Sequence, residues 1–153
     1  MVLKFQGKER LEASKKLAEL PREKPTLRGL VGRARELADV RNDDPGAQRV
    51  FEQAVKLYPN DASLLNAAAW FLLTAKTDNV RDAKRALPLA REAAKLTNEN
   101  DGNILDTLAR ALHDTGELAE GARYAKLAAA KEPGNQDIVQ RAAEYAKELE
   151  QRK

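Results

Sequence analysis

The feature that most constrains this chain is the regular spacing of the prolines that end its helical stretches. Pro25 and Pro59 lie 34 residues apart, and Pro59 and Pro133 lie 74 apart, which is one interval of 34 and one of 40. The stretches between them are rich in Ala, Leu, Glu, Lys and Arg and have the apolar spacing of amphipathic helices, whereas alternating β-branched runs are missing. A period near 34 with two helices per period indicates stacked helix pairs. We therefore predict an all-α chain.

The clearest unit runs from Gly102 to Asn135. Its first half has a stripe of large apolar residues, and its second half has small residues at helical spacing. In chain order these positions are Leu105, Leu108, Ala109, Leu112, Gly116, Gly121, Ala125, Ala128 and Pro133. We expect Gly116 to lie in the turn between the two helices, and Ala109 and Gly121 to lie where those helices cross closely.

The preceding unit, 62–101, has the same pattern with an insertion. Its slots hold Leu65, Ala68, Ala69 and Leu72, followed by Ala86, Ala90 and Ala93. Residues 77–81 form an extra loop between the helices. Pro88 falls inside the second helix, so that helix either kinks there or begins late. Because Ala83 and Ala86 continue the helical period, we favour the kink.

The flanking segments contain weaker copies. Residues 28–61 form a degenerate unit, and residues 1–27 form a partial one that contains Ala13, Leu17 and Leu20. Residues 136–151 form a capping helix with Val139, Ala142, Ala143 and Ala146 in the core slots. Apolar residues near the start, including Leu3, Phe5 and Leu11, need cover from an earlier helix, a symmetric copy or the chain itself.

In this register the chain resembles the tetratricopeptide repeat family over nearly its whole length. The resemblance implies an all-α solenoid of antiparallel helix pairs in a single domain, 1–153. It comprises units 28–61, 62–101 and 102–135, with the partial unit before them and the capping helix after them. The segment from Asn66–Trp70 through Leu105–Ala109, with its inserted loop, is similar to bacterial arrays.

The resemblance also implies a function, because first helices of tetratricopeptide arrays line a concave groove that holds a partner peptide. The implied role is a protein–protein interaction scaffold whose partner is a protein or peptide. The clamp that binds heat-shock chaperone tails is not assembled, since Gly32, Glu36, Ala67 and Thr107 occupy its places. The residues expected in the groove and selected as partner-binding are Asn66, Trp70, Thr74, Asn103, Asp106, Arg110, His113 and Gln140.

Five of these residues also have a purely structural interpretation. Trp70 lies off its own core stripe, so it is either a binding hot spot or a residue that packs on Asp106 and Arg110 of the next unit. Asn66 could hold a partner's backbone or bond to a neighbouring helix. The spacing of Asp106 and Arg110 predicts an ion pair within one helix, and we expect His113 to be a solvated surface residue.

Composition excludes several other classes. The chain has no cysteine and one histidine, which argues against disulfides, thiol chemistry, metal sites and a nucleophile–histidine–acid triad. It has no glycine-rich phosphate loop and no HExxH motif. We expect no enzyme activity and no cofactor. The 27 basic and 24 acidic residues are nearly balanced, and the basic residues of 1–41 are mixed with glutamates, so we expect no nucleic-acid partner.

Two further expectations concern location and assembly. Without a long apolar run we expect no membrane partner and a cytoplasmic protein, unless the chain was cut from an exported parent. The alternative to peptide binding is a structural or self-assembling module, a homo-oligomer formed through the repeat ends. A fragment of a larger protein or an engineered array would fit the same sequence.

Overall fold

The computed structural model describes residues 24–152, together with Glu12 and Lys15. Between residues 24 and 152 the chain forms seven α-helices and one π-helical turn, with no strand. The helices are α1 (Leu27–Arg35, continued by the π-helical turn Glu36–Val40), α2 (Asp44–Leu57), α3 (Ala62–Thr74), α4 (Ala83–Leu96), α5 (Gly102–Asp114), α6 (Leu118–Lys131) and α7 (Gln136–Gln151).

Side-chain caps determine where most of these helices begin. A carboxylate, amide or hydroxyl oxygen in front of the helix accepts a hydrogen bond from a backbone N–H of its first turn, which satisfies a donor that the helix itself cannot. The exception within residues 24–152 is α6, where Glu117 makes no such bond. The capping residues are Thr26, Asp43, Asp61, Asp82, Asp101 and Asn135.

The helices pack as antiparallel pairs, α1 with α2, α3 with α4 and α5 with α6, and each pair stacks on the next. The first helices also touch one another, since α3 contacts α5 and α5 contacts α7. The fold is therefore the all-α solenoid that the sequence predicts. One face of the stack is formed by the first helices of successive pairs.

The core combines large side chains from first helices with small ones from second helices. Leu105, Leu108 and Leu112 of α5 are almost completely buried. Opposite them, α6 presents Gly121, Ala125 and Ala128. A Cβ on Gly121 would lie 3.1 Å from the carbonyl oxygen of Ala109 and 3.1 Å from the amide nitrogen of His113. Gly121 is therefore the point of close approach expected from the sequence, and Gly116, at φ +90°, forms the turn before α6.

The insertion between α3 and α4 is tied to the start of α2. The amide of Thr77 donates a 2.7 Å hydrogen bond to the buried carboxylate of Asp44, and the Lys76 ammonium donates a 2.7 Å bond to the side-chain oxygen of Asn42. Val80 is buried. The loop is thus held in place by these two hydrogen bonds and by the burial of Val80.

Pro88 lies inside α4. The helix begins at Ala83, directly after its cap Asp82, and continues through Pro88 to Leu96. The alternative prediction, that this helix begins late, is therefore wrong. The proline is exposed on the helix surface, and its missing N–H removes one hydrogen bond from the helix.

The structure corrects the expectation for the capping helix. Ile138 is the buried residue of α7, whereas Val139 is 41% exposed, Ala143 and Ala146 are exposed, and Ala142 is half-buried. The physical reason is that no helix in the described part of the chain covers this face of α7. The apolar positions expected within the partial N-terminal unit, from Leu3 to Leu20, lie outside the described residues.

We expect Gly121→Ala to destabilise the protein by about 1–3 kcal/mol, because the added methyl group would meet rigid helix backbone. Gly32→Ala is the matched control. Gly32 is an exposed glycine within α1, and no described atom lies within 4 Å of the position that a Cβ would take there. We therefore expect a gain of up to about 1 kcal/mol from helix propensity. Urea unfolding of both variants measures these values, and equal effects would contradict the close approach of α5 and α6.

Candidate functional site

A polar cavity of about 270 Å³ lies on the face formed by the first helices, between α3, α5 and the start of α7. We call this surface the first-helix groove. Of the eight residues selected from the sequence, the structure places Asn66, Trp70, Asn103 and Asp106 around the cavity. The remaining lining residues, which are not among the eight selected as partner-binding, are Thr107, Asn135, Asp137, Ile138 and Arg141.

The helical repeat explains why these side chains converge. Asn66 and Trp70 are four residues apart on α3, and Asn103 and Asp106 are three apart on α5, so each pair shares a helix face. The contacts of α5 with α3 and α7 bring these faces to one place. The site therefore rests on helices rather than on loops.

The centre of the cavity holds an ion pair between α5 and α7. The Arg141 guanidinium donates to both carboxylate oxygens of Asp106, at 3.1 and 3.2 Å, and the Asp106 side chain is only 8% exposed. The predicted pairing of Asp106 with Arg110 is wrong, because Arg110 forms its ion pair with Asp114 at 3.6 Å. Burial raises the pKa of the Asp106 carboxyl above its ordinary value, and the nearby charge of Arg141 opposes that rise.

Trp70 carries two cations beside its ring. The guanidinium carbons of Arg110 and Arg141 lie 5.5 and 5.7 Å from the centre of the ring system. Such contacts are favourable because the ring face carries partial negative charge. The contact with Arg110 is the one expected from the structural interpretation of Trp70, although the residue stays half-buried at the cavity wall.

Asn66 differs from every other buried polar group in the groove. Its side-chain oxygen is buried and has no hydrogen-bond partner within the described part of the protein. Leaving such an acceptor unpaired costs about 1–3 kcal/mol of stability. The expected hydrogen bond to a neighbouring helix is therefore not formed by this oxygen.

The groove continues past Trp70 toward α1. A second cavity of about 220 Å³ is lined by Trp70 and Thr74 of α3 and by Arg35 and Asp39, among others. The Thr74 hydroxyl donates to the carbonyl of Trp70 at 2.8 Å, as helix threonines commonly do. Trp70 thus stands between two adjoining cavities.

Gln140, also selected from the sequence, lies outside both cavities. Its amide donates a 2.9 Å hydrogen bond to Glu144 on the exposed side of α7. The neighbouring residue, Arg141, takes the place expected for Gln140. Arg141 stands 35 residues after Asp106, one more than the period, and an acid–base pair at that separation is the signal that could have revealed it.

His113 is not the solvated residue that the sequence suggested. Its ring stacks on Tyr145 of α7 with the centres 4.0 Å apart, Nε2 lies 2.6 Å from a carboxylate oxygen of Glu148, and its side chain is 24% exposed. The hydrogen bond with His113 lowers the pKa of Glu148. Burial raises the pKa of Tyr145 to about 12. This cluster holds the second half of α7 against α5.

The arrangement is suited to binding. Within the described residues, no three His, Cys, Asp or Glu side chains converge to hold a metal ion. No helix among them has the length and apolar character needed to cross a bilayer. What the groove offers is a mixture of amide, carboxylate, guanidinium and aromatic surfaces, which are the groups that recognise polypeptide chains.

We expect Tyr145→Phe to make the free energy of unfolding less sensitive to alkaline pH. Because the folded state holds the Tyr145 proton to about pH 12 while an unfolded tyrosine releases it near pH 10, stability is full below pH 10 and declines between pH 10 and 12. After allowance for partial exposure, wild type should lose about 1 kcal/mol more than Tyr145→Phe between pH 9 and 11. Urea unfolding at both pH values tests this, and parallel losses would contradict it.

Comparison with known proteins gives structural matches only. No protein-family model matches the chain, and no curated protein sequence matches it. The solved structure "MamA RS-1 ArsTM double mutant" has a TM-score of 0.70 at 21% identity, covering 84% of this chain and 68% of that one. "MamA 41-end from Desulfovibrio magneticus RS-1" has a TM-score of 0.63 at 21% identity, covering 84% and 76%.

A further MamA mutant has a TM-score of 0.63 at 15% identity, covering 81% of this chain and 68% of that one. MamA contains tetratricopeptide repeats. At these identities the likeness concerns the fold, and it shows that this chain is built as a tetratricopeptide-like helical repeat.

Proposed function

We propose that this protein is an interaction module that binds an extended peptide segment of a partner protein in the first-helix groove. The observation that carries the proposal is the unpaired oxygen of Asn66, buried beside a cavity of about 270 Å³. An extended peptide presents backbone N–H groups along its length, and one of them would supply the missing donor. Binding would then recover the stability that the free protein loses through the unpaired oxygen.

The charged groups of the groove support a polypeptide ligand without a strong net charge. Asp106 is already paired with Arg141, and Asp137 lies at the cavity edge. A fully desolvated anion or cation would compete with this internal pair, whereas a neutral backbone would leave it intact. Recognition of the backbone by Asn66 and Asn103 leaves this pair intact and requires only that the Asn66 amide turn its buried oxygen toward the cavity.

The length of the groove supports an extended segment. Trp70 lines both the cavity at α5 and α7 and the cavity at α1, so a peptide lying across it would reach from Asp137 to Asp39. The ring is held in place by Arg110 and Arg141, so little side-chain entropy is lost when a ligand packs on its free surface.

A self-assembling structural module is the alternative function, and it makes no use of Asn66 or Trp70. If assembly were the whole function, the groove would select no peptide. The two functions are compatible, because the end of the repeat stack is a different surface from the first-helix groove.

We expect Asn66→Leu to raise the free energy of unfolding by about 1 kcal/mol, because leucine has a similar size and removes the unpaired buried acceptor. Gln53→Leu on α2, an exposed amide, is the matched control and should change stability by less than about 0.5 kcal/mol. Urea unfolding measures both. A loss of more than about 1 kcal/mol in Asn66→Leu would mean that the amide is paired in the free protein.

The binding test uses a displayed library of random twelve-residue peptides selected on wild-type protein. Peptides enriched in this way should bind Asn66→Leu at least about tenfold more weakly, the value of one lost buried hydrogen bond, and should bind Gln53→Leu like wild type. Calorimetry provides the affinities. Either no enrichment at all, or equal affinity for Asn66→Leu, would overturn the proposal.

A further inference from the structure

The repeat period identifies a face of α7 that no helix covers within residues 24–152. Val139, Ala142 and Ala146 of α7 stand 34 residues after Leu105, Leu108 and Leu112 of α5. The three leucines are covered by α6 and are at most 1% exposed. Their α7 equivalents are half-buried or exposed, because nothing in residues 24–152 covers α7 as α6 covers α5. This face of α7 thus has the pattern of a first helix, and no second helix within the described residues covers it.

The uncovered face forms a groove of about 530 Å³ between α6 and α7. We call it the end groove. Its floor is apolar and consists mainly of Ala122, Ala129, Val139, Ala142, Ala146 and Leu149. At the equivalent face of α5, the covering element is an antiparallel helix, α6.

We propose that the end groove is occupied by α7 of a second copy of this chain, so that two copies pair about a two-fold axis through their α7 helices. This inference is independent of the peptide function. In two of the three described pairs the second helix meets the first through small residues four apart, Ala86 and Ala90 in α4 and Gly121 and Ala125 in α6. Helix α7 has that spacing itself, in Ala142 and Ala146. In the proposed pair, each α7 can therefore serve both as the first helix that is covered and as the second helix that covers its partner.

The charges at the rim of the end groove are complementary under the same two-fold axis. Lys126 and Glu150 line the groove together with Arg123, and none of the three forms an ion pair within the described residues. Because α6 runs antiparallel to α7, Lys126 lies toward the Val139 end of the groove and Glu150 lies at the other end. Antiparallel pairing of two α7 helices brings Glu150 of one copy to the end of the groove at which Lys126 of the other copy lies. The symmetry repeats this contact, so each pair of copies forms it twice.

Sedimentation velocity over a concentration series tests the pairing. Because a single pair of helices makes a small contact, we expect the average mass of wild type to rise from monomer toward dimer between about 10 µM and about 1 mM. Ala146→Glu places a charge in the groove floor and should keep the protein monomeric throughout. Gln140→Glu, which adds a negative charge on the side of α7 away from the groove, is the matched control and should dimerise like wild type.

Charge reversal tests the orientation. Lys126→Glu and Glu150→Lys should each raise the dimer dissociation constant by about threefold to thirtyfold, and the double variant should restore it, since exposed ion pairs have energies of this order. The proposal is overturned by a wild type that stays monomeric at about 1 mM, by dimers that persist in Ala146→Glu, by a double variant that is not restored, or by masses that grow beyond the dimer. Circular dichroism verifies that each variant is folded.

Discussion

The structure depends on the close contact between the two helices of each pair. At Gly121 the backbone of α6 approaches α5 so closely that a single methyl group would lie 3.1 Å from backbone atoms. The alanines that continue this line, Ala125 and Ala128, have no exposed surface. Because small residues let the helices pack at short distance, the large leucines of α5 can fill the space between successive pairs. The relative positions of the first helices, and hence the groove, follow from this packing.

Because the helix pairs are closely packed, the groove can bury several polar groups away from water. The Asp106–Arg141 pair connects α5 to α7, and Arg141 also lies over Trp70 of α3, so a few side chains join three successive first helices. Nearly every buried polar atom in this region has a partner. The oxygen of Asn66 is the exception, and an unpaired buried acceptor needs a partner from outside these side chains, such as an ordered water or a ligand.

Much of the fold could be predicted from the sequence because helix pairs leave local signals. These signals are the spacing of the prolines, the glycine at position 116 and the small residues that face α5. The structure has the turn glycine and the small residues where they were expected. The partners of site residues could not be predicted in the same way. Asp106 has Arg110 four residues away and Arg141 35 away, and only the lateral placement of α7 selects the second. The stacking of His113 on Tyr145 has the same origin. Val139 was wrongly assigned to the core because its pattern is that of a first helix, and the pattern does not reveal whether a second helix covers it.

Peptide recognition through the first-helix groove is tested most directly by NMR of the side-chain amides. On addition of a peptide selected by the wild-type protein, the side-chain amide signals of Asn66 and Asn103 should shift in proportion to occupancy. Those of Asn60 and Asn98, which lie in exposed turns outside the groove, should stay unchanged. Shifts at Asn60 or Asn98, with the signals of Asn66 and Asn103 unmoved, would contradict recognition in this groove.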